Sequence, residues 1–538
     1  MPLDPAAKPA QRDRPARTGG GRWKGLGPTG PAICVYLMAR AWQLAMLGQP
    51  IVTVDTPMYR FEGQRWLDFK IVDFLGYELR AWPVTALYAL APNDRVRVLV
   101  QFVIATVCWV YCIRQFGMLT RNRLATTLAS LAVAVLALTV GVSGFDALLM
   151  SESLTMSLVA LYVGALFSLA GGRGRLPTVV VALVAACLLA LLRPVLVPLP
   201  AGIVFVAYLM WMRNGAERGA RARASVGAVA AVALAAMAYG WTYNVNIDKT
   251  WGHWVGSSGL NGRTLHQYYV AAYGTPSGPR IVEAMVDGGG PTCLRAELEA
   301  SATTPSRDHL AEERKSCPQG QRWLSDHFVS TLVTHFATHP DDARRYFGHA
   351  LRDQSLLRVD GRPSMPTVVP DPLTALYFSD TPGLGDPLVL WSIAALALVV
   401  VWRRQRAGTG YSAIQLCIGF TALVAYAGLA GTALLSAVDA SRVALPVTVL
   451  IRLVLIAVVV PAAVALMGRV KTGPVTPRVP DTRPPRSTAP ESHPGFPSTR
   501  SPNAVRSATR STNASLDDGP VPLRGGTLIR RGRSGRGS

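Results

Sequence analysis

Apolar residues in this chain fall in blocks of roughly 18 to 25, the length a helix needs to cross about 30 Å of hydrocarbon. The blocks lie near 31–51, 95–116, 123–142, 147–170, 176–192, 195–212, 224–243, 386–402, 411–435 and 443–467. They predict an all-α polytopic membrane protein with about ten transmembrane helices. The first block is the weakest, because Arg40 interrupts it. The fifth and sixth are parted only by the Arg193-Pro194 break.

Two long polar stretches interrupt the series. Residues 53–94 mix Asp55, Arg60, Glu62, Asp73 and Arg80 with Tyr59, Phe61, Trp66 and Trp82. That mixture predicts amphipathic helices lying at the membrane interface. Residues 244–385 are long enough for a small folded subdomain. Residues 31–243 thus form an N-terminal membrane module of about seven spans, and 386–468 a C-terminal module of about three. Residues 1–30 and 469–538 are basic tails rich in Pro, Ser and Arg, expected to be disordered because they lack the apolar surface to offset ordering entropy. About thirty polar residues precede the first apolar run, so no cleavable signal peptide is expected there.

The short loops give the orientation. Arg121 and Arg123, Arg173 and Arg175, Arg213 through Arg223, and Arg403 through Arg406 all fall in every second loop. Positive-inside asymmetry places these loops and both tails in the cytoplasm. The stretches 53–94 and 244–385 then face outward from a plasma membrane. The net charge of +22 bears on partners. Most of its arginines lie between apolar blocks or in the tails, so it reads as topology and contact with membrane lipids, and no nucleic-acid partner is expected.

Five cysteines lie within spans and read as small apolar residues. Cys293 and Cys317 are the pair in the outer stretch, where an oxidising compartment makes a disulfide between them the expectation. His335 and His339 are one helical turn apart, a spacing that can serve a metal. Pro340 follows at once and no acid sits inside the turn, so a helix end is the plainer reading. No Walker loop, dinucleotide fingerprint or nucleophile elbow is present, so a soluble nucleotide is not an expected substrate.

Charges at the outer span ends carry the candidate chemistry. Asp55 stands just behind the first span, Asp146 and Glu152 behind the third, and Asp439 with Arg442 behind the ninth. A carboxylate at the membrane edge costs solvation energy unless it is paired, hydrated or used. Moving a sugar from a lipid phosphate to a hydroxyl needs one carboxylate as base and arginines to hold the departing phosphate. It also needs an apolar bundle to take the lipid. The chain contains each of these parts.

Their order resembles the GT-C superfamily of integral-membrane glycosyltransferases, which use polyprenyl-phosphate sugars and include protein O-mannosyltransferases and lipid A aminoarabinose transferases. The resemblance spans about residues 31–467. It rests on Asp55 behind span one, the Arg80-Ala81-Trp82-Pro83 segment, Ser151-Glu152-Ser153-Leu154, the Arg193-Pro194 break, and Arg442-Val443-Ala444-Leu445-Pro446 at the last span. Two positions depart from the pattern. Thr56 follows Asp55 where many relatives carry paired acids, and Val443 follows Arg442 where an aromatic often stands.

The resemblance implies Asp55 as catalytic base, with Tyr59, Arg80, Asp146, Glu152, Arg193 and Arg442 binding substrate. It implies a polyprenyl-phosphate-sugar donor, a cell-envelope glycan, lipid or protein as acceptor, and inversion at the sugar. Members differ in needing a divalent cation, so one is admitted and no other cofactor is called for. Simpler roles stand beside these: Asp55 as the cap of a turn, Glu152 as partner of a buried arginine, Arg193 as a side chain reaching to headgroups. A transporter or flippase of lipid-linked glycans, or a non-catalytic membrane scaffold, are the alternative functions.

Overall fold

The computed structural model describes residues 27–53, 56–66, 70–78, 80–119, 122–172, 176–213, 219–254, 277–296, 317–346, 367–378, 387–405, 412–435 and 440–472. In chain order these form α1 (Gly30–Ala45), α2 (Thr56–Trp66), α3 (Ile71–Phe74), α4 (Trp82–Leu90), α5 (Asp94–Phe116) and α6 (Arg123–Leu138). There follow α7 (Val140–Ser143), a 3-10 turn (Gly144–Ala147), α8 (Ser151–Ala170), α9 (Leu176–Leu192), a second 3-10 turn (Pro194–Leu196), α10 (Pro200–Arg213) and α11 (Gly219–Trp254). The remainder are α12 (Gly278–Asp287), α13 (Pro318–Thr338), α14 (Asp371–Thr374), α15 (Pro387–Gln405), α16 (Ala413–Leu435) and α17 (Ala440–Thr472).

Every expected span has a helix, but they differ in reach. Among the described residues six helices are long and apolar enough to cross a membrane, or seven if the bent pair Arg123–Leu138 and Val140–Ala147 is one span. The other three expected spans correspond to the shorter α1, the apolar α9 and the apolar part of α15, Leu388–Val400. The bend of 53° follows Leu138, where Thr139 turns to extended backbone and its hydroxyl bonds back to the Leu136 carbonyl at 2.6 Å. That back-bond withdraws a carbonyl from the helical ladder, a recognised cause of kinks.

The bundle is built around α8. It packs against α5, α9 and α17, and almost every one of its residues is buried. Its sequence explains how. Ser153, Ser157, Ala160, Gly164, Ala165 and Ser168 keep its surface small, so neighbouring backbones come close. A Cβ on Gly164 would stand 3.0 Å from the Tyr111 ring of α5. Polar atoms on such a helix must be satisfied within the protein. Thr155 and Ser157 donate to the carbonyls of Ser151 and Ser153, both at 2.7 Å.

The stretch between α1 and α5 folds as short helices, and α11 anchors it. Asn246 donates to the Leu75 carbonyl at 2.7 Å, and the Tyr243 hydroxyl accepts from the Trp82 amide at 2.8 Å. Gly76 sits between these tethers at φ +86°, with the Tyr243 carbonyl where a side chain would begin. Only glycine suits that position.

A second, smaller core joins α12 and α13. It contains Ile281, Val282, Met285, Leu324, Phe328 and Tyr346, and Cys293 is disulfide-bonded to Cys317 with Cα atoms 5.8 Å apart. Helix α13 stops at Thr338, with His339 as its cap. Buried Asp342 accepts from Ser277 at 2.9 Å and lies 3.2 Å from His335 Nε2. Burial lowers the His335 pKa, with the stacked His339 adding to the effect. Residues 367–378 pack against the main bundle. Val369, Tyr377 and Phe378 are buried in its core, and Arg452 of α17 donates to the Tyr377 carbonyl at 2.6 Å.

Candidate active site at one end of the bundle

At the N-terminal end of α8 three polypeptide segments meet. Leu148 forms an isolated bridge with Ile51, the single such pairing among the described residues. The Ile51 amide donates to the Ala147 carbonyl at 3.1 Å, and the Leu149 amide to the Ile51 carbonyl at 3.2 Å. Thr56 at the head of α2 places its hydroxyl 3.2 Å from the Leu149 carbonyl and accepts from the Thr53 amide at 2.8 Å. The chain on both sides of Val54 and Asp55 is thereby fixed to the segment that opens α8. Asp55 itself lies outside the described residues, as does Asp439, and of Arg442 only the backbone, within α17, is described.

Four of the expected substrate-binding residues gather here. Glu152, in the first turn of α8, forms an ion pair with Arg193 at 2.7 Å. The same guanidinium donates to the Ser151 hydroxyl at 3.2 Å. Arg193 is in reach because the chain leaves α9 one residue earlier and Pro194 opens the next turn. The break that the sequence shows as Arg193-Pro194 is what turns the arginine toward α8. Both members are removed from solvent, with side chains 1% and 13% exposed.

Tyr59 of α2 closes the other side. Its phenol is in hydrogen-bonding contact with Ser151, its ring lies 5.5 Å from that of Tyr88 in α4, and the Arg80 guanidinium stands 5.2 Å over its face. Burial raises the Tyr59 pKa, Arg80 opposes the rise and Glu152 reinforces it. The phenol therefore stays neutral at physiological pH. Tyr88 is raised by burial in the same way. Beside it Arg97 donates to the Tyr88 carbonyl at 3.1 Å and pairs with Asp94, which also takes Arg60.

Asp146 has a different partner. Its carboxylate accepts from Arg40 at 2.7 Å and from the Ser153 hydroxyl. Both of its oxygens are thus paired within the protein. Glu152 does have the arginine partner that its simpler reading requires. Sequence reasoning missed Ser151 and Tyr88 as members of the cluster, and Arg40 as an ion-pair partner. The signal for Arg40 was present, since a charge inside an apolar span demands a counter-charge.

The cluster holds the guanidinium groups of Arg80 and Arg193, the Glu152 carboxylate and the Tyr59 phenol. Arginine offers a planar pair of donors to phosphate oxygens. Among the described residues no group of three His, Cys, Asp or Glu could hold a metal ion. Another charged group lies nearby. Glu62, Asp73 and Glu78 are all buried, and Glu78 is pushed up to about 8 by burial and by its hydrogen bond to Asp73.

No family model matches the chain, and no curated protein matches it. One solved structure is similar, the archaeal oligosaccharyltransferase AglB from Archaeoglobus fulgidus in complex with an inhibitory peptide and a dolichol-phosphate. The match has 10% identity and a TM-score of 0.37, and it covers 82% of this chain and 51% of that one. The chain thus spans about half the length of that enzyme, and a likeness this slight carries no argument about family or activity.

Proposed function

We propose that this chain is a membrane glycosyltransferase that moves a sugar from a polyprenyl-phosphate donor to an acceptor hydroxyl on the extracytoplasmic side of the cell membrane. The observation that carries this reading is the meeting of Tyr59, Arg80, Ser151, Glu152 and Arg193 beside the tethered ends of the Asp55 segment. An arginine-rich cluster at one end of an apolar bundle suits a ligand with an anionic head and a hydrocarbon tail.

In this proposal Asp55 takes the proton from the acceptor hydroxyl. The acceptor oxygen attacks the anomeric carbon from the face opposite the phosphate, and the carbon–oxygen bond to phosphate breaks with inversion. The leaving phosphate keeps the electron pair and needs no proton. Arg193 and Arg80, with Arg442, stabilise its growing charge. Glu152 keeps the Arg193 guanidinium turned toward the site. The acceptor is a cell-envelope glycan, lipid or protein, and both chain ends lie in the cytoplasm.

The deciding experiment incubates purified protein with labelled polyprenyl-phosphate sugars and membrane acceptors, comparing wild type with Asp55→Asn. Transfer by wild type and its loss in the variant supports the reading. Equal transfer by both removes Asp55 as base, and no transfer by wild type removes the reaction.

A further inference from the structure

Arg40 is buried in α1, within the bundle. Its guanidinium meets Asp146 at 2.7 Å, Gln43 at 3.0 Å, Thr106 at 3.3 Å and the Phe102 carbonyl at 3.5 Å, and it lies 3.7 Å over the Phe102 ring. Gln43 continues the network to Ser143 at 3.1 Å. Asp146 uses its second oxygen to accept from Ser153, one residue beyond Glu152. The ion pair has side chains 2% and 6% exposed. A single set of contacts therefore joins α1, α5, the first 3-10 turn and the start of α8.

The next residues along the chain do the site's positioning. Ala147 and Leu149 hold Ile51 through backbone hydrogen bonds, and Gln101 donates to the Leu148 carbonyl at 3.0 Å. The Leu149 carbonyl holds Thr56, and then Ser151 and Glu152 enter the cluster. Within seven residues the chain passes from the ion pair, through the tether of the Asp55 segment, to the carboxylate that turns Arg193.

We propose that Arg40 and Asp146 are positioning residues, which together set the register of the Ala147–Met150 segment on which both halves of the site hang. This rests on the glycosyltransferase reading for its catalytic consequence, but not for its structural one. Asp146 touches no substrate in this assignment. Both of its oxygens are already committed to protein donors. Arg40 supplies the counter-charge that lets a carboxylate stand at the foot of a buried helix.

The test compares Asp146→Asn, Arg40→Gln and the double variant R40Q/D146N in the full chain in lipid nanodiscs. Two quantities are read: amide hydrogen exchange at Ile51 and Leu149, and transfer kinetics. Each single change leaves one charge buried without its partner, so exchange at both amides should rise about tenfold or more. Misplaced groups lower kcat, while donor KM should move less than about threefold, because the cluster that binds donor remains. The double variant leaves no lone charge and keeps two amides able to bond each other. It should recover exchange and kcat to within about threefold of wild type.

A double variant with wild-type exchange but no transfer would overturn the proposal, because it would show a carboxylate needed for chemistry. Singles whose kcat falls while exchange stays at the wild-type value would do the same. If a single variant cannot be recovered folded, the double decides alone by these criteria. If wild type transfers nothing, the glycosyltransferase reading falls and the exchange measurements alone judge the positioning role.

Discussion

The Glu152 carboxylate and the Arg193 guanidinium stand 2.7 Å apart, joining the first turn of α8 to the break after α9. Neither side chain has water enough to replace its partner. Breaking such a pair by neutralising one member is costly because the other charge remains buried. Glu152→Gln and Arg193→Met should each destabilise the bundle by about 3–5 kcal/mol. The double change should cost clearly less than the sum. Thermal unfolding of the three variants in one detergent checks this, and additive losses would mean that the two residues act independently.

Tyr59 divides its contribution between a ring and a hydroxyl. Tyr59→Phe keeps the packing against Tyr88 and the Arg80 face and loses only the Ser151 contact, for about 0.5–1.5 kcal/mol. Tyr59→Ala also empties a buried aromatic site, at about 3–5 kcal/mol. Under the proposed function the alanine variant should raise donor KM as Arg80 loses its platform, whereas phenylalanine should leave it nearly unchanged. Donor titrations of the two variants separate these outcomes.

Glu78 gives the Tyr59-bearing region a pH response of defined sign. Its pKa stands near 4.5 in an unfolded chain and about 8 in the folded protein. Between those values the folded state holds a proton that the unfolded state has released. Stability should therefore fall as pH rises from about 5 to 8, then level off. Glu78→Gln should flatten that part of the profile. Melting temperatures from pH 5 to pH 9 measure it, and a wild-type curve that rises across this window would contradict it.

At Gly76 the backbone itself is the constraint. Gly76→Ala must accept φ +86° and push against the Tyr243 carbonyl, for about 1–3 kcal/mol. Because Gly76 precedes Arg80 by one short loop, the damage should show locally. Proteolysis between Phe74 and Trp82 should quicken in the alanine variant and stay slow in wild type.

The sequence showed the helices better than the contacts between them. Apolar runs and alternating arginine loops mark the longer helices of the bundle, because length and charge asymmetry are local properties of the chain. The Arg193-Pro194 break was equally visible, and so was Glu152 as the partner of a buried arginine. What stayed hidden depends on long-range pairing. Arg40 reads as a flaw in the first span, and its counter-charge lies 106 residues away on a bent helix. Ser151 and Tyr88 are ordinary residues for a span end and an amphipathic helix, and only tertiary packing brings them to Tyr59. The first span shows the reverse case, where composition forecasts a crossing over 31–51 and α1 ends at Ala45.

The bridge between Ile51 and Leu148 has a consequence for how this protein tolerates change. Its two hydrogen bonds are drawn from backbone amides and carbonyls, so they are indifferent to which side chains stand at 51, 147 or 149. Saturation mutagenesis there should find most replacements permitted if they keep volume, with proline at Ile51 or Leu149 singled out because it deletes a donor. A site hung in this way can shed its sequence signature while its geometry persists. Its descendants would be recognised by shape long after their letters had ceased to agree.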